Sequence, residues 1–215
     1  LPESALFKAE GITLDEAAMV EFLAIGAHAV ARAQIRPGQR ALVVGTGPIG
    51  VGVTLFAKLS GADVTVIDGR AERLSFCTSK LGINHAVTVG PDDLEELRTI
   101  SNGEFFHHVF DATGSPKAME RGFSLVAHGG TYVLVSLVQG NISFSDPEFH
   151  KRETTLLSSR NATLKDFDTV ISAMRNGLVP TAAIKTHRAP LFEVAARMPE
   201  WIRPEAGTIK ALLEL

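Results

Sequence analysis

The chain has 215 residues, of which 45% are hydrophobic and 21% are charged, with a formal net charge of −3 and one cysteine. This length allows one large domain with a sizeable core, and the composition is ordinary for a globular protein. The slightly acidic balance gives no basis for binding nucleic acid, and the apolar runs are too short to span a bilayer. A lone cysteine excludes an internal disulfide. We therefore expect a cytoplasmic protein without membrane or nucleic-acid partners.

The predicted elements begin with an extended lead over residues 1–13 and an amphipathic helix from Asp15 to about Ala33, opened by a capping box of Thr13 and Glu16. Short apolar runs then alternate with helical patterns. Strands are predicted at 41–44, 63–67, 85–89, 107–113, 131–138, 141–145, 154–159 and 209–215, and helices at 48–59, 71–81, 91–100, 116–126, 164–175 and 191–199. This alternation through short loops predicts a parallel sheet, and so a doubly wound α/β domain centred on residues 35–160.

A glycine-rich loop follows the first predicted strand and opens a helix. Gly45, Gly47 and Gly50 form the pattern G-x-G-x-x-G, and the next strand ends on an acid. In this context Gly45 makes the tight turn, Gly47 lets the backbone approach a pyrophosphate, and Gly50 lets the helix lie close to the sheet. Pro48 and Ile49 form the first helical turn, whose free N–H groups favour phosphate. The stretch predicts a dinucleotide site; a loop that merely turns the chain is the alternative.

The acid at the end of the second strand favours NAD over NADP. Asp68 lies 18 residues after Gly50. A carboxylate there accepts hydrogen bonds from the adenosine ribose hydroxyls and repels a 2′-phosphate. Arg70 points the other way, because an arginine just beyond this position can pair with a 2′-phosphate. We expect NAD as the cofactor.

Longer stretches carry a family resemblance. The segment DEAAMVEFLAIGAHAVARAQIRPGQRALVVGTGPIGVGV, with FDATG, THRAPL and the closing IKALLEL, resembles the medium-chain, zinc-dependent alcohol dehydrogenases over essentially the whole chain. Within that superfamily the chain is similar to the polyol and sugar-acid branch, which includes sorbitol, threonine and galactonate-type dehydrogenases. The stretch HKRETTLLSSRNAT favours the sugar-acid members.

The resemblance implies three parts. Residues 1–34 are a lead and linking helix from a catalytic domain, residues 35–160 are a Rossmann NAD-binding domain, and residues 161–215 return to the catalytic domain. Family members carry an N-terminal domain with a Cys and a His-Glu pair that bind the catalytic zinc, and this sequence, which starts at Leu1, does not contain it. We expect this chain to bind cofactor without turnover, with Cys77 and the histidines in structural roles.

The resemblance also implies roles on the substrate side. Glu21 matches an acid that approaches or joins the catalytic zinc, although Phe22 replaces the usual proline after it. Arg160 matches an arginine on the substrate side of the cleft, and Asn161 lies beside it. We expect Arg160 to lie close to Glu21.

On the cofactor side, the resemblance implies that Arg73 reaches the adenosine ribose and that Lys210 touches the pyrophosphate. The residues after the fourth strand are expected to border the adenine, and those at the end of the next strand to meet the nicotinamide amide. These are Ala112, Thr113, Val135, Ser136 and Leu137.

The function implied is NAD-dependent, zinc-assisted oxidation of a secondary alcohol of a polyol or sugar acid. Two alternatives remain open: a zinc-free NADPH quinone reductase of the same superfamily, and a non-catalytic Rossmann module that senses NAD. A homodimer or tetramer is expected through an edge strand at 141–145. The closing strand at 209–215 is expected to be unpaired, and so disordered or paired with another copy.

Overall fold

The structure is a computed structural model that describes residue 3 and residues 6–215, so part of the predicted lead over residues 1–13 lies outside the described residues. Helices and strands alternate along the chain. Their order is α1 (Leu14–Ala33), β1 (Arg40–Val44), α2 (Pro48–Leu59), β2 (Asp63–Asp68), α3 (Ala71–Leu81), β3 (His85–Thr88), α4 (Asp93–Ile100), β4 (Phe106–Asp111), α5 (Pro116–Gly122), β5 (Val126–Leu134), α6 (Asp146–Lys151), β6 (Thr155–Ser158), α7 (Leu164–Arg175), α8 (Thr181–Ile184), β7 (Lys185–Pro190), α9 (Val194–Trp201) and β8 (Lys210–Glu214).

The main sheet has six parallel strands in the order β3-β2-β1-β4-β5-β6. The strand order reverses between β1 and β4, as in a doubly wound fold, so the prediction of a Rossmann-type α/β domain is confirmed. Ala41, Leu42 and Val43 of β1 are fully buried. Consecutive buried residues are typical of a central parallel strand, which is covered by helices on both faces.

Helix α1 begins as predicted and then packs more tightly than its sequence suggested. The capping box is present: Thr13 Oγ1 accepts from the Glu16 backbone N–H at 3.2 Å, and Glu16 Oε2 accepts from the Thr13 N–H at 2.8 Å. At Gly26 the backbone of α1 meets that of α2, where a Cβ would lie 2.5 Å from the backbone nitrogen of Val53. Among the described residues, no helix is long and apolar enough to cross a membrane.

The prediction of a strand at residues 141–145 is wrong. This segment is a loop, and the sheet ends at β6 instead. Ser145 caps α6 by accepting from the Glu148 N–H, and Phe144 stacks on Phe123 with ring centroids 4.5 Å apart. The Ser143 N–H donates to Glu120 Oε1 at 2.9 Å. These side-chain contacts replace the ladder hydrogen bonds that an edge strand would make.

The closing strand is paired within the chain, contrary to expectation. β8 lies parallel to β7, with Lys185 opposite Lys210 and Pro190 opposite Glu214. The strand β7 contains the first five residues of the THRAPL stretch and was not predicted. The remaining strand boundaries agree more closely, except that β5 begins at Val126 and continues through Gly129 and Gly130. The predicted helix at 191–199 becomes a 3₁₀ turn followed by α9.

The larger of two hydrophobic clusters includes buried residues from all three predicted parts of the chain. Leu23 of α1, Val43 of β1 and Val170 of α7 are each fully buried, and Leu212 of β8 belongs to the same cluster. Part of that packing is polar, since His28 Nδ1 lies 2.9 Å from Asp166 Oδ2. The division at residues 34 and 160 stays a prediction.

Candidate functional site

The glycine loop lies at the carboxyl edge of the main sheet, where the strand order reverses. Gly45 has a φ of 86°, and a Cβ there would lie 2.9 Å from Thr113 Cγ2. A Cβ at Gly50 would overlap the carbonyl of Gly45. Gly47 caps α2 without a side-chain hydrogen bond. The first N–H groups of α2 therefore remain available to a ligand, with the positive end of the helix dipole behind them.

Asp68 is fixed at the end of β2 by hydrogen bonds from the glycine loop. Its Oδ2 accepts from the Thr46 backbone N–H at 2.7 Å and from Thr46 Oγ1 at 3.0 Å, and its Oδ1 accepts from the Arg70 N–H at 2.9 Å. The residue is 7% exposed. Burial acts to raise the pKa of Asp68, but these hydrogen bonds and the charge of Arg73 outweigh it and hold the pKa below its usual value. The carboxylate is therefore ionised and oriented.

The two arginines beyond Asp68 differ in their surroundings. Arg73 Nη1 lies 3.5 Å from Asp68 Oδ2 and also 3.5 Å from the point where a Gly47 Cβ would stand. Its guanidinium thus spans the carboxylate and the glycine loop. Arg70 Nε instead lies 3.4 Å from Glu72 Oε1. The side chain that could favour a 2′-phosphate is therefore already in an ion pair.

Sequence reasoning missed Asp111, a fully buried acid at the end of β4. Its Oδ1 accepts from the Thr113 N–H at 3.0 Å and from Ser136 Oγ at 2.8 Å. Its backbone carbonyl accepts from the N–H groups of Val135 and Ser136. Burial raises the pKa of Asp111, and the hydrogen bonds from Thr113 and Ser136 oppose that rise. The stretch FDATG contained the signal, an acid that directly ends an apolar strand.

Asp111 thereby joins the residues predicted to meet the adenine and the nicotinamide. The segment after β5 was expected to be the end of that strand, but β5 ends at Leu134. Ser136 accepts from the Gly114 N–H at 2.9 Å, while Leu137 is 90% exposed. The structure therefore brings Thr113 and Ser136 together and leaves Leu137 in the open.

A cavity of about 380 Å³ opens beside Asp68 at this edge of the sheet. Arg121 lines the cavity and donates from Nη1 to Oδ2 of the buried Asp93 at 2.8 Å. Its lining combines apolar strand ends with a few polar groups, as adenosine sites commonly do. The lining residues include Val44, Ile67, Asp68, Arg73, Val89, Ala112, Thr113, Lys117 and Arg121.

A second cavity, of about 230 Å³, separates the glycine loop from the C-terminal segment. Thr46, Gly47 and Arg73 line one side, and Thr186 and Thr208 line the other. Nothing in the sequence pattern indicated that Thr186 and Thr208 would face the loop.

Lys210 belongs to the same C-terminal segment, in strand β8. Its Nζ lies 4.9 Å from the centre of the Phe22 ring. Phe22 stands where the family resemblance expects proline, so the departure from the pattern provides the contact for this lysine.

The substrate-side residues are not joined in this structure. Glu21, Arg160 and Asn161 are exposed, and within the described residues no ion pair of 4.0 Å or less joins Glu21 to Arg160. Arg160 follows β6 at the carboxyl edge of the sheet, and Asn161 has a φ of 55°. No three His, Cys, Asp or Glu side chains of residue 3 and residues 6–215 come together as a metal site. Glu21 alone does not make a zinc centre, because catalytic zinc takes several protein ligands.

Cys77 lies below the glycine loop in α3 and is fully buried. Burial, with the charge of Asp68, raises its pKa to about 12. The thiol is therefore neutral, which makes it a poor nucleophile.

The fold and the glycine loop define a Rossmann-type domain. Residues 48–176, more than half of the chain, match the family model described as zinc-binding dehydrogenase. The chain belongs to that family.

Two curated relatives narrow the resemblance. The chain is 42% identical over 195 residues to L-galactonate-5-dehydrogenase of Escherichia coli (strain K12). The alignment covers 91% of this chain and 57% of the relative. The chain is 29% identical over 133 residues to sorbitol dehydrogenase of Bacillus subtilis (strain 168), which covers 61% of this chain and 38% of the relative. The chain thus resembles the polyol and sugar-acid branch, as expected, and spans little more than half the length of the first relative.

Solved structures support the same fold. A protein from E. coli CFT073, described as a short chain alcohol dehydrogenase complexed with cofactor NADH, superimposes with a TM-score of 0.92 at 23% identity. The alignment covers 100% of this chain and 64% of that structure.

Proposed function

We propose that this chain is the NAD-binding part of an oxidoreductase that oxidises a secondary alcohol of a polyol or sugar acid. The observation that carries the proposal is the pairing of Asp68 with the glycine loop. An ionised, oriented carboxylate stands beside the N-terminus of α2, whose cap residue makes no side-chain hydrogen bond. The kinship with L-galactonate-5-dehydrogenase and sorbitol dehydrogenase supports the substrate class.

Each part of NAD has a matching group in this chain. The N–H groups of the first turn of α2 that follow Pro48, which has no N–H itself, hold the pyrophosphate, since the cap residue Gly47 has no side chain to occupy them. Asp68 accepts hydrogen bonds from the ribose hydroxyls, and the cavity of about 380 Å³ holds the adenine. Ser136 and Leu137 present backbone groups to the nicotinamide amide.

NAD supplies the hydride acceptor, and the protein supplies its position and the surrounding charges. Asp68 repels a 2′-phosphate, and Arg70 is drawn to Glu72, which disfavours the NADPH quinone-reductase alternative. Arg73 stabilises both the carboxylate and a neighbouring phosphate through its position between Asp68 and Gly47.

The zinc of the proposed reaction requires ligands from outside these 215 residues. Glu21 is this chain's candidate contribution, and Arg160 with Asn161 would bind the polar groups of the substrate. Zinc binding and substrate binding are therefore proposed for the intact enzyme, whereas cofactor binding is proposed for this chain.

The test is a fluorescence titration of the chain with NADH and with NADPH. We expect tighter binding of NADH, and we expect Asp68→Ala to weaken NADH binding by about tenfold or more, because a hydrogen bond to a charged group contributes about 1.5–3 kcal/mol. The matched control is Asp63→Ala, which removes an exposed acid from the first position of the same strand.

Equal binding of both cofactors by the wild type, or an unchanged NADH affinity in Asp68→Ala, would contradict the role given to the carboxylate. Absence of binding by either cofactor would contradict the proposal for this chain as a whole.

A further inference from the structure

A third cavity lies at the opposite edge of the main sheet, at the amino ends of its strands. It encloses about 430 Å³ and is lined by residues that include Arg40, Phe105, His107, His128 and Arg152. We call it the basal cavity. Arg40 begins β1, and His107 lies one residue into β4, so the cavity and the glycine loop are at opposite ends of the same strands.

Two arginine side chains in the basal cavity are largely buried and retain unused donors. Arg40 is 20% exposed, and it donates from Nε to the Phe105 carbonyl at 3.1 Å and from Nη2 to Glu104 Oε2 at 2.7 Å. Arg152 is 18% exposed and donates from Nη1 to the Val126 carbonyl at 2.8 Å. Its Nε is buried with no hydrogen-bond partner among the described residues. Buried donors of a charged group are costly to leave unmatched.

Histidines add further donors. The Arg40 backbone N–H donates to His107 Nδ1 at 3.1 Å. Because that nitrogen accepts, the neutral ring carries its proton on Nε2 and can donate from there. His128 is exposed at the cavity.

The loop that shapes the basal cavity is strained. Phe105 has a φ of 62°, a left-handed conformation that is unfavourable for a bulky residue. Its ring is 5.8 Å from the Arg152 guanidinium and 5.9 Å from that of Arg98. Strained residues persist where the surrounding structure fixes them, and they are enriched at ligand sites.

Two carboxylates lie near these arginines, and both are more exposed than the groups they accompany. Glu104 is 73% exposed and Glu148, whose Oε2 is 3.6 Å from Arg152 Nε, is 56% exposed. Solvent screens these partners, so they neutralise the arginines only in part.

We propose that the basal cavity binds a small oxyanion, a phosphate or carboxylate group, between Arg40 and Arg152 with His107 and His128 at its sides. Guanidinium groups match the geometry of both oxyanions through paired N–H donors. The site is separate from the glycine loop, which would also attract a phosphate.

The experiment is a calorimetric titration of the chain with inorganic phosphate and, separately, with citrate, at constant ionic strength and with NADH at saturation. We expect binding of at least one anion. Arg152→Lys keeps the charge but loses the paired donors, and we expect it to weaken binding by about tenfold. The matched control is Arg197→Lys. Arg197 is an exposed arginine on α9 that pairs with Glu193, and this variant should bind the anion as the wild type does.

His128→Gln tests the site independently should Arg152→Lys destabilise the fold, and we expect a smaller loss of the same sign. Amide chemical shifts locate the anion: changes confined to Gly103, Ala127 and their neighbours support the basal cavity. Changes at Gly47, an affinity unaltered in both variants, or no binding of either anion would overturn the proposal. Failure of the chain to bind NADH would count against the proposed function alone, since the amide shifts report on the basal cavity directly.

Discussion

Thr46 determines how Asp68 is presented, although it lies within the variable positions of the glycine pattern. Its N–H and hydroxyl both donate to Asp68 Oδ2, and the residue is 1% exposed. Because Thr46 fixes the carboxylate through Oδ2, the remaining lone pairs of Asp68 can accept hydrogen bonds from a ligand. The residue that binds and the residue that orients it are therefore 22 positions apart.

We expect Thr46→Val to lower stability by about 1.5–3 kcal/mol, because it removes one hydrogen bond to a buried, ionised carboxylate. The same change at Thr54 is a matched control, since Thr54 Oγ1 is buried without a hydrogen-bond partner in the part of the chain that the structure describes, and its loss should be neutral or stabilising. Urea unfolding of both variants measures the difference. Equal effects at the two positions would mean that the Thr46 hydroxyl contributes nothing to the fold.

His108 makes the fold sensitive to acid. Burial, together with the neighbouring His107, lowers its pKa from 6.5 to about 4. Between those pH values the unfolded chain takes up a proton that the folded chain does not, so stability is lost as the pH falls from 6.5 towards 4. The loss from this one residue is about 3 kcal/mol.

The measurement is the free energy of unfolding on either side of that pH interval. We expect His108→Leu to flatten the profile, and His128→Leu, at an exposed position, controls for the removal of a histidine. Parallel profiles for the wild type and His108→Leu would show that another group governs the acid limit.

At the scale of the elements, the crossing of α1 and α2 depends on one of two facing glycines. A Cβ at Gly26 would lie 2.5 Å from the nitrogen of Val53, whereas a Cβ at Gly52 would meet its neighbours at 3.6 Å, an ordinary contact. We expect Gly26→Ala to cost about 1–3 kcal/mol through overpacking. Gly52→Ala should be neutral or stabilising, because alanine favours the helix by about 1 kcal/mol.

Thermal or urea unfolding of the two alanine variants tests this asymmetry. Tolerance of Gly26→Ala would mean that the helices separate at little cost, and the close backbone contact would then be incidental to the fold.

The helices and strands that were predicted correctly are those determined by the local pattern of apolar and polar residues. The alternation of apolar runs with helical stretches predicted the parallel sheet, whereas the ribose role assigned to the acid that ends β2 stays a proposal. The segment 141–145 misled because NISFS alternates like a strand, while Ser145 is used as a helix cap and Phe144 as a stacking partner. Such uses depend on α6 and on Phe123, which the alternation does not report.

Long-range pairing accounts for the remaining differences. β7 and β8 are parallel and separated by a helix, so their pairing follows from the positions of α9 and α1 rather than from either strand. Asp111 acquires Ser136 as a partner only because β5 lies beside β4 in the sheet, whereas Thr113 is two residues away in sequence. Ser136 and Thr113 were identified through family resemblance, but the acid that joins them required the strand order.

For the whole molecule, we expect cofactor binding without oxidation of alcohol. The described residues bring no three metal-ligating side chains together, and a catalytic zinc needs about that number from the protein. The measurement is NADH formation from NAD with L-galactonate or sorbitol, with and without added zinc, at chain concentrations that bind NAD. Steady NADH production by the purified chain would contradict this expectation.

The oligomeric state also belongs to this scale. With residues 141–145 in a loop, the edge strands of the main sheet are β3 and β6, each four residues long. The association expected through a strand at 141–145 therefore lacks that strand. A homodimer or tetramer stays a prediction, which light scattering on the purified chain tests. A short edge strand offers few backbone groups for pairing, so side chains would have to supply most of the contact.

The reactivity of the buried Cys77 can measure how often the surrounding structure opens. The sequence has a single cysteine, and its sulfur is reached by a disulfide reagent only when α3 separates from the loop above it. The rate of colour development with such a reagent therefore reports how often that region opens, without any label or mutation. A nucleotide bound at Thr46 and Asp68 should lower the reaction rate of Cys77 as its occupancy rises. The rate would then measure nucleotide binding.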